Sequence, residues 1–325
     1  MNKHSLLAAA LLSAAAAAPI AHADEWPSKP LHLIVAYPPG GGLDFVTRTV
    51  AQRLSERLKQ AVIVDNRSGA SGSIGTDYVA KSPADGYTLL MASPAEIVVG
   101  PAAGQKTPYK AETDLVPVTL AGETPLVLAT NPSVEGKDLA SFVTYAKANP
   151  GKLSYGTPGS GSSMQFAGEA FKAGTGVSIE HIPYRGAAPA LNDVLGGQIS
   201  MVIVGMPPVV PHAKSKKLRV LAVTTAKRSS LMPDVPAVSE LPGMKDYRFS
   251  NWMTVFAPAK TPAAIVDRLN REIAAIVEEP AVRERLLGAG VEPMGLGGKE
   301  LAAFLADERR RYGLVAKERN IRFED

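Results

Sequence analysis

The sequence predicts an α/β protein made of two lobes, each with a mixed, mostly parallel sheet flanked by helices. Short apolar segments typical of strands alternate with amphipathic segments typical of helices, a pattern that favours sheets covered by helices. Two longer β-prone segments, Val116–Thr130 and Arg248–Ala257, lie on either side of a complete α/β unit. We therefore expect a discontinuous first lobe at residues 24–122 and 250–325, and a second lobe inserted at residues 123–249. Two strands would form the hinge and allow the lobes to close around a ligand.

The N-terminal segment has the pattern of a secretory signal peptide. Lys3 precedes an apolar run from Leu6 to Ala18, and Ala21-His22-Ala23 supplies the small residues that signal peptidase recognises. The apolar run is shorter than the ~20 residues that a membrane-spanning helix needs, so a membrane anchor is not expected. We predict a signal peptide at residues 1–23, cleavage after Ala23 and a mature protein in the periplasm.

Composition and motifs exclude several functional classes. The formal net charge is +4 at pH 7 without a Lys/Arg block, so a nucleic-acid partner is not expected. The chain has no cysteine, hence no disulfide and no thiolate nucleophile. The G-x-x-x-x-G-K-[ST], G-x-G-x-x-G and G-x-S-x-G motifs are missing, and His32, His181 and His212 are isolated in the sequence. The sequence therefore predicts no catalytic residue, no metal site and no cofactor.

A glycine-rich turn precedes the first helix of the mature chain. The strand-like segment Leu31–Tyr37 is followed by two prolines and Gly40–Gly42, and an apolar stripe from Val46 to Leu58 then indicates a helix. Unpaired N–H groups at a helix start attract anions, and glycines leave them accessible. A plain βα turn, in which glycine only relieves strain, fits the same residues. Asp44 likewise fits either a group that accepts hydrogen bonds from a ligand or a carboxylate stabilised by the helix N-terminus.

The second lobe repeats this arrangement. A strand-like segment at 152–157 leads into the glycine- and serine-rich turn Pro158–Ser163 and a helix from Met164 to Ala173. Arg185–Ala188 then precedes another helix, Pro189–Leu195. Hydroxyls next to helix amides suit a carboxylate that accepts several hydrogen bonds. A serine N-cap beside flexible neighbours would give the same pattern.

Four long segments carry a family resemblance: WPSKPLHLIVAYPPGGGLD, VDNRSGASGSIGTDYVAKSPADGYTLLMAS, SYGTPGSGSSMQFAGEAFK and HIPYRGAAPALNDVLGGQI. They resemble the substrate-binding proteins of tripartite tricarboxylate transporters, the Bug family, and the resemblance spans essentially the whole mature chain. It implies a type II periplasmic binding protein, a Venus-flytrap clamp that captures a small organic carboxylate without catalysis. The carboxylate would be a di- or tricarboxylate or an aromatic one, delivered by a monomer to integral membrane permease subunits. A periplasmic sensor that feeds a signalling system is the alternative.

The family motifs also imply which residues bind the ligand. By matching motif, these are Gly41, Gly42, Asp44, Gly159, Ser160, Ser162, Ser163, Ala187 and Ala188. Three positions join them from the surrounding sequence. Tyr37 would form an apolar floor, Ser93 follows the third strand, and Val204 lies where many relatives carry an aspartate.

Two departures from the family pattern bear on the ligand. Ile203-Val204-Gly205 replaces a Phe-Asp-Asn run, so an ammonium group would lose its partner and an amino-acid ligand is disfavoured. Ser93–Val98 replaces a run with polar threonine, histidine and asparagine. If these side chains line the cleft, they favour an aromatic or longer aliphatic carboxylate. If they face the core of the lobe, they say nothing about the ligand.

Four other features have simpler expected roles. Arg67 is expected as a solvent-exposed loop residue, Trp252 as a core residue on the second hinge segment, and His181 as a structural histidine near the second-lobe loops. The charge run Glu308–Arg311 is expected as a solvent-exposed helix face, which is also a surface that a permease could contact.

Overall fold

The computed structural model describes residues 26–322, so the predicted signal peptide and its cleavage site lie outside the described residues. The strands are β1 (Leu31–Val35), β2 (Val62–Asn66), β3 (Thr88–Ala92), β4 (Leu115–Thr130), β5 (Leu153–Thr157), β6 (Ile179–Pro183), β7 (Met201–Gly205), β8 (Arg219–Val223), β9 (Ser250–Pro258) and β10 (Glu292–Gly297). The helices are α1 (Gly42–Leu58), α2 (Ser73–Ala80), α3 (Gly100–Ala102), α4 (Ala111–Asp114), α5 (Leu139–Ala148), α6 (Ser163–Thr175), α7 (Ala187–Leu195), α8 (Val210–Lys214), α9 (Ala263–Glu278), α10 (Pro280–Gly288) and α11 (Gly298–Arg319), and a π-helix (Ala95–Val99) precedes α3. Among the helices of residues 26–322, none has both the length and the apolar character required to cross a membrane.

The predicted α/β architecture of two lobes is confirmed. In the first lobe, β1 lies between β2 and β3 and parallel to both, so that Leu33 is opposite Val64 on one side and Leu89 on the other. The apolar stripe of α1, from Val46 to Leu58, packs in one core cluster with Leu33 and Leu89. Burial of this stripe against the strands supplies the hydrophobic stabilisation that positions the start of α1.

Strand β4 is 16 residues long and belongs to both lobes. Residues 115–125 pair antiparallel with β9, and residues 126–130 pair antiparallel with β7. The resulting order is β2-β1-β3-β9-β4-β7-β5-β6, with β8 and β10 pairing along β4. The two extended segments expected from the sequence are therefore the strands that join the lobes.

Strand directions place the loops of the two lobes opposite each other. Since β9 is antiparallel to both β3 and β4, β4 runs in the same direction as β1, β2 and β3, from the first lobe towards the second. Strands β5, β6 and β7 are parallel to one another and run against β4. The carboxyl ends of the parallel strands in each lobe therefore point towards the other lobe. Ligands of open α/β sheets bind beyond these ends.

Helix α11 packs against residues of both lobes. The Tyr312 ring lies 5.1 Å from the Phe166 ring on α6 and 5.4 Å from that of Phe249. Near the end of α11, Arg319 Nε donates to Glu169 Oε2 at 2.9 Å. As a result, one core cluster contains residues of both lobes and of α11.

The expectation that Glu308–Arg311 is a solvent-exposed face is wrong for two of its residues. Glu308 is 1% exposed and Arg311 is 8% exposed. Glu308 accepts hydrogen bonds from Trp252 Nε1 at 2.8 Å and from Arg311 at 2.6 Å. This face of α11 lies against hinge strand β9. Glu308 and Arg311 pair with each other there, which offsets the cost of burying their charges. Trp252, fully buried, is a core residue as expected.

The lobe boundaries at 24–122, 250–325 and 123–249 remain a proposal. The change of pairing partner between Pro125 and Leu126 supports the first crossing, and Ser250 opposite Pro125 supports the second. Helix α11 contacts both lobes, although it falls within the segment assigned to the first.

Candidate functional site

The first-lobe turn is held by the Asp44 side chain. Asp44 is 5% exposed, and its carboxylate accepts hydrogen bonds from Gly40 N–H at 3.0 Å, Arg48 Nε at 3.0 Å and Asn66 Nδ2 at 2.9 Å. Burial alone would raise the pKa of Asp44, but these hydrogen bonds outweigh it and lower that pKa to about 2. The carboxylate is thus ionised and engaged within its own lobe, where it fixes the turn in front of α1. Direct contact of Asp44 with a ligand stays a prediction.

The glycines of this turn leave the start of α1 open. Gly40 has φ +90°, a backbone conformation that favours glycine, which explains why a glycine occupies this position. Gly41 has φ −79°, and a Cβ added to Gly41 or Gly42 would meet no atom within 4 Å. No side chain of the described residues caps α1. The first amides of the helix therefore face open space beyond β1, at the positive end of the helix dipole.

A buried polar cluster lies behind this turn. Tyr37 Oη donates to Glu96 Oε2 at 2.8 Å and lies 3.3 Å from Ser93 Oγ. Glu96, which is fully buried, also accepts from Ser93 N–H at 2.7 Å and from Ser93 Oγ at 2.6 Å. The hydroxyls of both predicted ligand-binding residues are therefore already bound to Glu96. Their contact with a ligand stays a prediction.

Sequence reasoning overlooked Glu96. Its signal was the S-x-x-E pattern at Ser93–Glu96, in which the glutamate reaches back to the serine N–H as in a capping box. The neighbouring Ile97 and Val98 are each 2% exposed and pack in the core. The segment Ser93–Val98, which the sequence suggested as an apolar wall of the cleft, therefore consists of core side chains and a buried carboxyl group. It gives no reason to prefer an aromatic or longer aliphatic carboxylate as the ligand.

The second-lobe loops are bound to each other at their bases. Ser162 caps α6: its Oγ accepts from Gln165 N–H at 3.2 Å and donates to Gly159 O at 2.7 Å. Gly186 N–H donates to Pro158 O at 2.9 Å and joins the loop after β6 to the loop after β5. The serine N-cap that the sequence offered as the alternative is therefore present at Ser162, and contact of its hydroxyl with a ligand stays a prediction.

The other second-lobe candidates differ in accessibility. Ser160 and Ala188 are exposed, whereas Gly159, Ser163 and Ala187 are partly buried. A Cβ added to Gly159 would find its nearest neighbour, Tyr184 O, 3.6 Å away. No side chain within residues 26–322 caps α7. These positions bring a second set of helix amides to the ends of β5 and β6.

Val204 does not face the cleft. It is fully buried and packs in a core cluster with Ala190, Val202 and Val223. Both faces of β7 are covered, and its sequence is an uninterrupted apolar run. Because polar and apolar residues do not alternate, the sequence could not show which side chains point towards the cleft. The prediction that Val204 lines the ligand site is corrected, and the apolar-wall argument loses this residue as well.

His181 and Arg67 have structural contacts. The His181 Nε2 and Thr157 Oγ1 atoms lie 2.8 Å apart, and burial lowers the pKa of His181 to about 4, so its ring is neutral near pH 7. Arg67 Nε donates to Asp65 Oδ2 at 3.1 Å and its guanidinium lies over the Tyr78 ring. Within residues 26–322, no group of three or more His, Cys, Asp or Glu side chains is arranged to hold a metal ion.

The glycine turn, the uncapped helix starts and the facing lobes agree with the family comparison. Residues 46–321 match the model of the tripartite tricarboxylate transporter family receptor, TctC. The chain belongs to this family. Among similar proteins, Protein BugT of Bordetella pertussis is 40% identical over 98% of this chain and 98% of its own length. A UPF0065 protein from a tcbD-tcbE intergenic region of Pseudomonas is 36% identical over 89% of this chain and 86% of its own length.

Solved structures show the same fold. A TctC solute-binding protein from Polaromonas aligns with a TM-score of 0.82 at 29% identity, covering 90% of this chain and 99% of that one. Rpa4515 of R. palustris, solved with adipate, aligns with a TM-score of 0.75 at 35% identity, covering 92% and 99%. MatC of Rhodopseudomonas palustris, solved with bound malate, aligns with a TM-score of 0.68 at 26% identity, covering 89% and 99%. The predicted Bug-family membership and the two-lobed type II fold are thereby confirmed.

Proposed function

We propose that this chain is a periplasmic receptor that captures a small organic carboxylate between its lobes and delivers it to the membrane subunits of a tripartite tricarboxylate transporter. It would act as a monomer and without catalysis. The observation that carries the proposal is the accessible start of α1. Gly41 and Gly42 have no steric reason within the chain to be glycine, and a carboxylate is the group that such free amides bind best.

The second lobe supports the same chemistry. The starts of α6 and α7 lie at the carboxyl ends of β5 and β6, which point towards the first lobe. A dicarboxylate could therefore place one carboxylate at each lobe and hold the clamp closed. Relatives solved with adipate and with malate support this class of ligand.

A thermal-shift screen of purified, refolded protein tests the proposal. The panel would contain mono-, di- and tricarboxylates, both aliphatic and aromatic, together with amino acids. A ligand that binds only the folded state stabilises it by roughly 2.7 kcal/mol at a hundredfold excess over its Kd. We expect one class of carboxylates to raise the Tm, with Kd then measured by calorimetry. A rise only with amino acids, or with no compound of the panel, would reject the carboxylate assignment.

The first prediction concerns the glycine turn itself. The double substitution Gly41→Ala and Gly42→Ala should leave the Tm within about 2 °C of the parent, since neither methyl group meets an atom of the chain. It should weaken carboxylate binding about tenfold or more, because the methyl groups occupy the approach to the helix amides. Gly288→Ala is the control, since Gly288 ends α10 and also has open space around its Cβ position. Equal affinity of the parent and the double variant would contradict this role.

A further inference from the structure

Glu96 is a buried acid without a cationic partner. It is fully buried, and its carboxylate contacts three donors, Ser93 N–H, Ser93 Oγ and Tyr37 Oη. The ion pairs formed within residues 26–322 do not include it. Burial raises the pKa of Glu96, because an ionised carboxylate loses hydration there. A capping box explains the contact with Ser93 N–H, but it does not require the contact with Tyr37.

The Tyr37 hydroxyl has one proton and three possible acceptors, namely Glu96, the Ser71 carbonyl oxygen and the Ser93 hydroxyl, which itself donates to Glu96. The Tyr37 oxygen lies 2.8 Å from Glu96 Oε2 and 3.3 Å from the Ser71 carbonyl oxygen. When Glu96 is ionised, Tyr37 must donate to the carboxylate, the stronger acceptor. When Glu96 is neutral, its own O–H can donate to Tyr37 Oη, and the Tyr37 proton is released to bind Ser71. The protonation state of Glu96 therefore decides which group Tyr37 holds.

Ser71 belongs to a strained loop at the end of β2. Ala70 and Ser71 have φ values of 47° and 52°, which non-glycine residues rarely adopt. The next residue, Gly72, is packed so closely that an added Cβ would lie 3.1 Å from Tyr37 Oη and 3.2 Å from Glu96 Cβ. A hydrogen bond from Tyr37 to the Ser71 carbonyl would help to keep this conformation, so the loop responds directly to the proton on Glu96.

Two tyrosines and one ion pair surround Glu96. Burial raises the pKa of Tyr37, and it raises the pKa of Tyr109, which donates to the Glu96 carbonyl oxygen, to about 12. Asp77, near Tyr109 on α2, is paired with Lys81 at 2.7 Å. Among these groups, Glu96 is the carboxyl group whose pKa is raised by burial.

We propose that Glu96 is a positioning residue that makes ligand binding depend on pH: its neutral form lets Tyr37 hold Ser71 and removes a negative charge from behind the carboxylate site. The inference rests on the proposed function and adds a regulation to the same site. A carboxylate ligand would bind more tightly at mildly acidic pH and less tightly at alkaline pH, since the ionised Glu96 repels it.

The ligand-free protein provides the first test. Infrared spectra should contain a protonated carboxylic-acid band below the pKa of Glu96, and this band should be missing in Glu96→Gln. Hydrogen exchange of residues 69–73, corrected for intrinsic rates, should be slower at the pH values where this band is present than where it is lost in the parent, and independent of pH in Glu96→Gln. A parent spectrum without the band at any pH at which the protein is folded, or equal protection on both sides of its loss, would overturn the inference whatever the ligand proves to be.

Adipate affinity provides the second test. The parent should bind adipate about fivefold more tightly at the pH where Glu96 is neutral than at the pH where it is ionised, both within the range in which adipate itself remains ionised. Glu96→Gln should remove this dependence and Tyr37→Phe should reduce it, since the charge of Glu96 remains there, whereas Glu112→Gln, an exposed glutamate of the same lobe, should retain it. A pH slope that persists in Glu96→Gln would overturn the proposed role. Failure of adipate to bind the parent at either pH would count against the carboxylate function, and the ligand-free measurements would still decide the role of Glu96.

Discussion

Asp44 connects the turn in front of α1 to the neighbouring loop. It accepts from Gly40 in the turn and from Asn66 at the end of β2, and Asn66 in turn donates to the Tyr37 carbonyl oxygen at 3.0 Å. A carboxylate used in this way fixes the turn in front of the first amides of α1. Arg48 pairs with this carboxylate at 3.0 Å and partly compensates its negative charge.

The Asp44→Asn substitution tests this role. We expect it to lower the free energy of unfolding by about 1–3 kcal/mol, since an amide cannot accept from all three donors, and to weaken carboxylate binding several-fold. The pKa of Asp44 is lowered, so its contribution is present above the unfolded pKa and is lost as the pH falls through the folded value of about 2. Denaturant unfolding at several pH values and calorimetric titration would measure both effects. Asp65→Asn, which removes a half-exposed pair with Arg67, should change stability by less than about 0.5 kcal/mol.

If Asp44→Asn binds the ligand with unchanged affinity, Asp44 has no role in binding, and only its favourable interaction with the helix N-terminus remains. A loss of affinity without loss of stability would instead favour direct contact with the ligand.

At the scale of elements, the sequence predicted what local patterns determine. The apolar stripe and glycine turn predicted α1, and Val116–Thr130 was predicted to be extended, as β4 is. The sequence could not show which face of a helix or strand is covered by another helix or strand, because this depends on tertiary packing. Glu308 looked solvent-exposed because four charges follow one another, yet its face of α11 lies on β9. Val204 was expected at the ligand site because many relatives carry an aspartate there, yet both faces of β7 are covered.

Helix α11 depends on its buried charges, and Glu308→Gln tests this dependence. The substitution removes the buried carboxylate that Arg311, 8% exposed, contacts on the same face, and leaves Arg311 only the more exposed Asp307 as a carboxylate partner. We expect a loss of about 3 kcal/mol in the free energy of unfolding, measured by urea denaturation. Glu318→Gln alters an exposed glutamate of the same helix and should cost no more than about 0.5 kcal/mol. Similar costs for both substitutions would mean that the network around Trp252 contributes little stability.

For the whole molecule, the shared core predicts one unfolding transition. Two lobes of a discontinuous chain could unfold separately, but here β4 runs through both, and one core cluster joins Phe166, Tyr312 and Phe249. In scanning calorimetry of the ligand-free protein, we expect a single peak whose calorimetric and van't Hoff enthalpies agree. Two resolved peaks, or a calorimetric enthalpy well above the van't Hoff value, would show that the lobes are independent units.

The position of β9 also constrains the order in which the chain can fold. In the first lobe, β9 lies between β3 and β4, so the sheet lacks a central strand until the segment Ser250–Pro258 is available. More than half of the chain must be synthesised before β3 and β4 can be joined, and the contacts that join them are far apart in sequence. The lobe that contains the N-terminal strands is therefore the later one to complete. A chain built in this way stays incompletely folded during synthesis, the state in which a polypeptide can still be threaded through a narrow channel.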